Sequence, residues 1–326
     1  MADDTPSTES TIFNYYRSSV LRKMPPEIMT NIFQAFIDLD RPTAALHCAT
    51  ELATVCKTWY NIVMTSPSLW TNIFVFGRMV FAKGVYQVVK EWIQRSKTLP
   101  IDLFLFGDRH GSSDYLYSDR SREVFSNMVQ LVTVLAESSH RWRAISFNIP
   151  FAFVRRLCDM AQDLSQLHSV KYSYKCRDSW GGSLQWKKPL SLETMKIGFK
   201  LTSSLLETFN VRSDSLTHLT VKEMSVERCM DTIRGSPVLR YFKTGLTDAV
   251  PIEDFVPPLP VVHEVLESLA LLVAMDPNLL DRLLPLLTLP ALHTLDLDLV
   301  GNQDPHIVQE FLRRSSAPIT SMKLMH

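Results

Sequence analysis

From Trp142 onward the chain sets apolar residues at the first, fourth and sixth positions of short segments that recur. They read Trp142, Ile145, Phe147; Leu167, Val170, Tyr172; Leu192, Met195, Ile197; Leu216, Leu219, Val221; Leu239, Phe242; Leu266, Leu269, Leu271; Leu292, Leu295, Leu297; and Ile319, Met322, Leu324. Successive segments begin about 23 to 27 residues apart. Alternation of apolar and polar side chains over the last three positions predicts a strand with one buried face. Between the strands the apolar spacing changes to three and four. Val124, Met128, Leu131, Val132 and Leu135 show it, as do Val154, Leu157, Cys158 and Ala161, and Val226, Cys229, Met230 and Ile233, and this spacing predicts amphipathic helices. A strand and a helix in that length of chain bury their apolar faces by stacking on the next such pair.

Val85, Val88, Val89, Trp92 and Ile93 predict a helix ahead of this region, and Ile101, Phe104 and Phe106 a strand, adding one turn to the array. The pattern resembles leucine-rich repeats. The asparagine or cysteine of that family is replaced by Met224, Ala274 and Val300, so its asparagine ladder is missing. The resemblance implies an α/β fold in which a small N-terminal helical unit precedes an irregular solenoid, a horseshoe with helices on its convex side. A generic α/β domain with coincidental spacing is the competing fold.

The first part of the chain reads differently. Pro25 and Pro26 open a helix, because the first turn has unpaired N–H groups and a proline φ is already helical. Glu27 follows in the turn where the helix dipole favours a negative charge, and Ile28, Ile32, Phe33, Phe36 and Ile37 recur at helical spacing. Leu52, Val55, Cys56, Trp59, Ile62 and Val63 predict a second helical run ending before Ser66-Pro67, and Leu69, Trp70 and Ile73 a third apolar turn. The expected organisation is a tail over 1–19, a helical module over 20–75 and the repeat region over 76–326. Three short helices bury little surface, so the module is expected to lean on a partner.

Met24-Pro25-Pro26-Glu27-Ile28, Val55-Cys56-Lys57 with Trp59, and Pro67, Leu69 and Trp70, in that order, resemble an F-box. What this resemblance implies is docking onto a Skp-type adaptor, and through it onto a cullin, with Met24, Pro25, Ile28, Ile32, Val55, Cys56, Lys57 and Trp59 as the contact set. Met24 stands where the family most often has leucine, a volume-conserving change, and 38–50 is longer than in many members. The same apolar residues also suit a bundle core, and both assignments stay open for Ile32, Phe36 and Trp59. The chain as a whole resembles the F-box proteins of mushroom-forming fungi through Trp92-Ile93-Gln94-Arg95-Ser96, Arg141-Trp142-Arg143 and Leu289-Pro290-Ala291-Leu292.

Charge narrows the partners. The 34 Lys and Arg balance 34 Asp and Glu, which argues against a general nucleic-acid binder. Membrane spanning is not expected, since the longest apolar regions carry charges, and 1–11 lacks the basic start and apolar run of a signal peptide. Five scattered cysteines suit reduced thiols in a cytoplasmic or nuclear protein. No metal or cofactor is expected: histidines and cysteines lack ligand spacing, and the Gly-rich phosphate loop, the dinucleotide motif and the Gly-x-Ser-x-Gly elbow are absent from the sequence. The chain is therefore read as a non-enzyme, with a hydrolase as the remaining chemical alternative.

Strand alternation turns the fifth and seventh positions to the open face of the sheet. Lys171, Lys196, Lys222 and Lys243 fall there on four neighbouring strands, and with Trp180 and Trp186 of the 175–189 insertion they form a candidate surface for an acidic or phosphorylated target. A solvated face is the alternative. Further insertions lie at 107–122 and 247–263. The expected function is the substrate-recognition subunit of an SCF-type cullin ubiquitin ligase. A scaffold that assembles other complexes is the alternative.

Overall fold

The computed structural model describes residues 24–39, 48–107, 121–173, 186–201, 209–247, 259–273, 278–298 and 305–325. The first helix, α1 (Pro26–Leu39), begins where expected: the Pro25 carbonyl accepts the N–H groups of Ile28 and Met29 at 3.1 and 3.2 Å. Next come α2 (Cys48–Val55), α3 (Lys57–Thr65) and a single 3-10 turn over Pro67–Trp70. Met29, Phe33, Ile37, Ala49, Leu52, Ile62, Val63, Leu69 and Trp70 are buried among them.

A parallel sheet starts directly behind that turn. Its ten strands are β1 (Asn72–Phe76), β2 (Ile101–Phe106), β3 (Trp142–Asn148), β4 (Ser169–Tyr172), β5 (Thr194–Leu201), β6 (His218–Met224), β7 (Tyr241–Leu246), β9 (Ser268–Val273), β11 (Thr294–Asp298) and β12 (Ser321–Met325). The strands stand side by side in chain order. A separate two-stranded sheet pairs β8 (Val261–Val262) with β10 (Leu287–Thr288). Ile73, whose apolar character suggested a closing turn of the helical module, is instead part of β1.

The recurring apolar positions become rows. Ile73, Leu103, Ile145, Val170, Met195, Leu219, Phe242, Leu269, Leu295 and Met322 lie in register across all ten strands. The first nine are at most 3% exposed, whereas Met322 on the last strand is 42% exposed. Carbonyls just ahead of the strands join neighbouring units: those of His168, Glu193, Thr217, Arg240, Glu267 and His293 each accept two successive N–H groups from the following strand. Six such joints fix the register before the ladder begins.

Against the buried row pack α4 (Val85–Arg95), α5 (Ser121–Glu137), α6 (Phe151–Met160), α7 (Val226–Gly235), α8 (Asn278–Leu283) and α9 (Pro305–Ser315), and one apolar cluster runs from Met29 to Phe311. Two arginines tie units together through main-chain oxygens at helix ends and in the segments that follow them. Arg141 donates to the carbonyls of Leu99 (2.7 and 2.9 Å) and Ile93 (3.3 Å) and to the hydroxyl of Ser96 (2.6 Å). Arg314 donates to the carbonyls of Leu284 (2.6 Å) and Leu287 (2.9 and 3.3 Å).

Candidate partner-docking surfaces

Helix α1 carries two apolar stripes rather than the single one its spacing suggested. Met29, Phe33 and Ile37 are 2–3% exposed, while Ile28, Ile32 and Phe36, one residue earlier in each turn, are 46, 48 and 42% exposed. A rotation of about 100° per residue separates the two sets, so the inner stripe fills the core and the outer one faces water. Val55, at the end of α2, is 52% exposed, and Cys56 and Lys57 at the start of α3 are exposed beside it, as is Pro25. Met24 and Trp59 are half-buried. The Trp59 ring lies 4.7 Å from that of Phe33, so its inner edge belongs to the core. Six of the eight residues in the expected contact set are thus exposed, and Tyr60, outside that set, adds a further large side chain at 49%.

This module packs directly onto the first unit of the sheet. The Trp70 ring is fully buried, its indole N–H donates to the Val63 carbonyl at 2.9 Å, and the Arg95 guanidinium stacks 4.6 Å from the ring centre. Two residues later β1 begins.

The open face of the sheet has its own register. Phe74, Phe104, Ser146, Lys171, Lys196, Thr220, Lys243, Ala270, Asp296 and Lys323 form one row across the ten strands. Three of the four candidate lysines share it. Lys222, at the seventh position and so two residues beyond Thr220, lies outside this row, at a bulge between Val221 and Glu223, and its ammonium pairs with the Glu223 carboxylate at 2.6 Å. The neighbouring strand accommodates that bulge only with glycine, because a Cβ on Gly245 would sit 2.5 Å from the Lys222 carbonyl oxygen. Trp186 is also corrected. It is 3% exposed, and its carbonyl accepts from the Asn210 side chain at 2.9 Å, so it packs the interior and presents no face to a partner. Trp180 and most of the 107–122, 175–189 and 247–263 insertions lie outside the described residues.

Four phenylalanines on this face escaped the sequence reading. Leu103 and Leu105, not Phe104 and Phe106, point into the core from β2, because they alternate with Ile101 along a regular strand, whereas in β3 the extra residue Arg143 offsets Trp142 from Ile145. Phe104 therefore stacks on Phe74 (4.5 Å, 20°) and Phe106 on Phe76 (5.4 Å, 9°). The alternation of Phe74 and Phe76, and of Phe104 and Phe106, carried the signal.

Burial pushes the thiols of Cys158 and Cys229 well above the ordinary thiol range, so both stay protonated. No group of three metal-ligating side chains occurs among the described residues, and no described helix is long and apolar enough to cross a membrane.

Comparison with curated proteins finds no match. Among solved structures, the crystal structure of the Rad7 and Elc1 complex in yeast aligns over 98% of this chain and 80% of that chain, at 12% identity and a TM-score of 0.39, too loosely to bear on fold, activity or partners. The family comparison is specific: residues 21–75 match the F-box-like model, the span that holds both stripes of α1 and the Trp70 joint. The N-terminal helical module is an F-box-like domain.

Proposed function

We infer that the chain is the substrate-recognition subunit of an SCF-type cullin ubiquitin ligase. The observation that carries this reading is the second apolar stripe: Ile28, Ile32 and Phe36 with Val55 form a solvent-facing surface on a domain whose core is already filled by other residues. Contiguous exposed apolar side chains of this size mark an interaction site. A Skp-type adaptor occupies that surface, with Met24, Pro25, Cys56, Lys57 and the outer edge of Trp59 at its margin, and links the chain to a cullin.

The strands and helices behind the module are an irregular leucine-rich-repeat solenoid that curves as a horseshoe, and its open face holds the target. Lys171, Lys196 and Lys243 supply charge there. The chain contributes no bond-making group. A separate conjugating enzyme transfers ubiquitin, and the gain comes from holding the target close by, which raises its effective concentration. The buried Trp70 joint suits that task, since a rigid link between adaptor and target fixes their separation.

Mixing the purified chain with a Skp-type adaptor and the N-terminal part of a cullin tests the proposal. A stoichiometric ternary complex on size exclusion is expected. Separate elution of the folded chain at micromolar concentrations would overturn it.

A further inference from the structure

The open face of the sheet is divided along its length. At the β1–β2 end stand two stacked phenylalanine pairs, with Phe76, Phe104 and Phe106 partly exposed. Ser146, the next residue in the row, is small and buried. Beyond it come Lys171, Lys196, Thr220 and Lys243. Neither Lys196 nor Lys243 forms an ion pair with a described residue, and no acidic side chain shares the row before Asp296.

We propose that this face binds an extended, acidic segment of a protein, laid across the strands, with one aromatic or large aliphatic side chain on the phenylalanine shelf and carboxylates over Lys196 and Lys243. The spacing follows from the lattice. Adjacent strands lie about 4.8 Å apart and an extended peptide advances about 3.3 Å per residue. Three strand steps from Phe104 to Lys196 therefore equal roughly four residues, and two steps from Lys196 to Lys243 roughly three. The ligand reads as apolar, three spacers, acidic, two spacers, acidic.

Carboxylate is favoured over phosphate by the kind of cation present. Phosphate recognition draws on clustered guanidinium groups with paired donors. The arginines beside this face are already engaged, Arg143 with Asp102 through two bonds of 2.7 and 2.9 Å and Arg240 with Glu267 at 2.6 Å. What remains is single lysines, each a point charge suited to one carboxylate.

This assignment specifies the target half of the proposed function and does not require adaptor docking, so the two fail separately. A random twelve-residue peptide phage library is selected on the immobilised full-length chain at low salt, and winners are resynthesised for fluorescence anisotropy. Enrichment of an aromatic or aliphatic residue followed by Asp or Glu at the fourth and seventh positions is expected. Binding of a winner should fall at least tenfold with Lys196→Glu plus Lys243→Glu, and should persist with Lys90→Glu on the exposed side of α4. Melting temperature and circular dichroism report that the double variant is folded. Failure to enrich any sequence, enrichment without acidic bias, or equal binding by the folded double variant would each overturn the proposal. So would a phosphoserine version of the winner that binds tenfold tighter than the carboxylate peptide, or a dimer by light scattering that the double variant dissolves, since the face would then belong to a phosphopeptide or to a second copy.

Discussion

The helical module and the sheet treat apolar residues in opposite ways. In the sheet, nine successive members of the inner row, from Ile73 to Leu295, are at most 3% exposed. In the module, Ile28, Ile32, Phe36, Val55 and Tyr60 stand 42–52% exposed although Met29, Phe33, Ile37, Leu52, Ile62 and Val63 already make its core. The inner row of the sheet is consumed by burial within the chain, whereas the module carries, on the same short helix, a second apolar stripe that its own core does not use. Surplus of that kind costs solubility and contributes no stability to the free chain, so its use lies in a contact outside the chain.

The joint between the regions is the place to break the comparison most completely. Trp70→Ala removes a fully buried ring, its hydrogen bond to Val63 and the stacking of Arg95. A loss of about 3–5 kcal/mol is expected, as for other buried aromatic truncations. Denaturant melts followed by circular dichroism should move for helix and sheet signals together. Unfolding of the module alone, with the sheet transition unchanged, would show the regions to be independent.

Substitution within α1 sharpens the contrast between its two stripes. Ile28→Asp with Ile32→Asp should reduce adaptor affinity by a hundredfold or more, about 2.7 kcal/mol, while the melting temperature of the free chain holds or rises. Phe33→Ala, on the inner stripe, should instead destabilise the free chain by about 3–5 kcal/mol. Calorimetric titration and thermal melts on both variants separate the roles, and a double variant that unfolds would assign the outer stripe to the core.

Arg141→Met tests how the sheet side is held together. Methionine keeps much of the stem but none of the donors to Leu99, Ile93 and Ser96. Loss of about 1.5–3 kcal/mol is expected from charge-assisted bonds left unmade to partly buried carbonyls. Hydrogen exchange should quicken at the C-terminal end of α4 and leave α1 to α3 unaffected.

Much of this contrast was legible beforehand, and the exceptions have physical causes. The 1-4-6 rows from β3 to β11 followed from side-chain alternation, because a parallel strand buried on one face tolerates no slip of one residue. Legibility failed where bulges differ between units. β2 lacks the extra residue that offsets the first from the fourth apolar position in β3, so its regular alternation of Ile101, Leu103 and Leu105 turns Phe104 and Phe106 to the open face, and the bulge in β6 leaves Lys222 without a partner in the register of β7. Whether a strand bulges depends on a neighbour far away in sequence, although the alternation within β2 is itself local. On α1 the difficulty was of another kind: Ile28 and Met29, or Ile32 and Phe33, are apolar alike, and only the position of α2 and α3 decides which stripe turns inward.

Lys222→Ala gives the smallest effect and isolates the consequence of the bulge. An exposed pair such as Lys222 with Glu223 gains little in water, at most about 1 kcal/mol, so the melting temperature should scarcely change. Binding of acidic peptides should change less than twofold, because the side chain lies outside the row that holds Lys196 and Lys243 and is already neutralised by its neighbour. Measured beside Lys196→Ala at low salt, the two variants compare lysines on adjacent strands that differ in register and pairing but not in chemistry. A loss for Lys222→Ala equal to that for Lys196→Ala would mean that net charge on this face, and not the row, attracts the ligand.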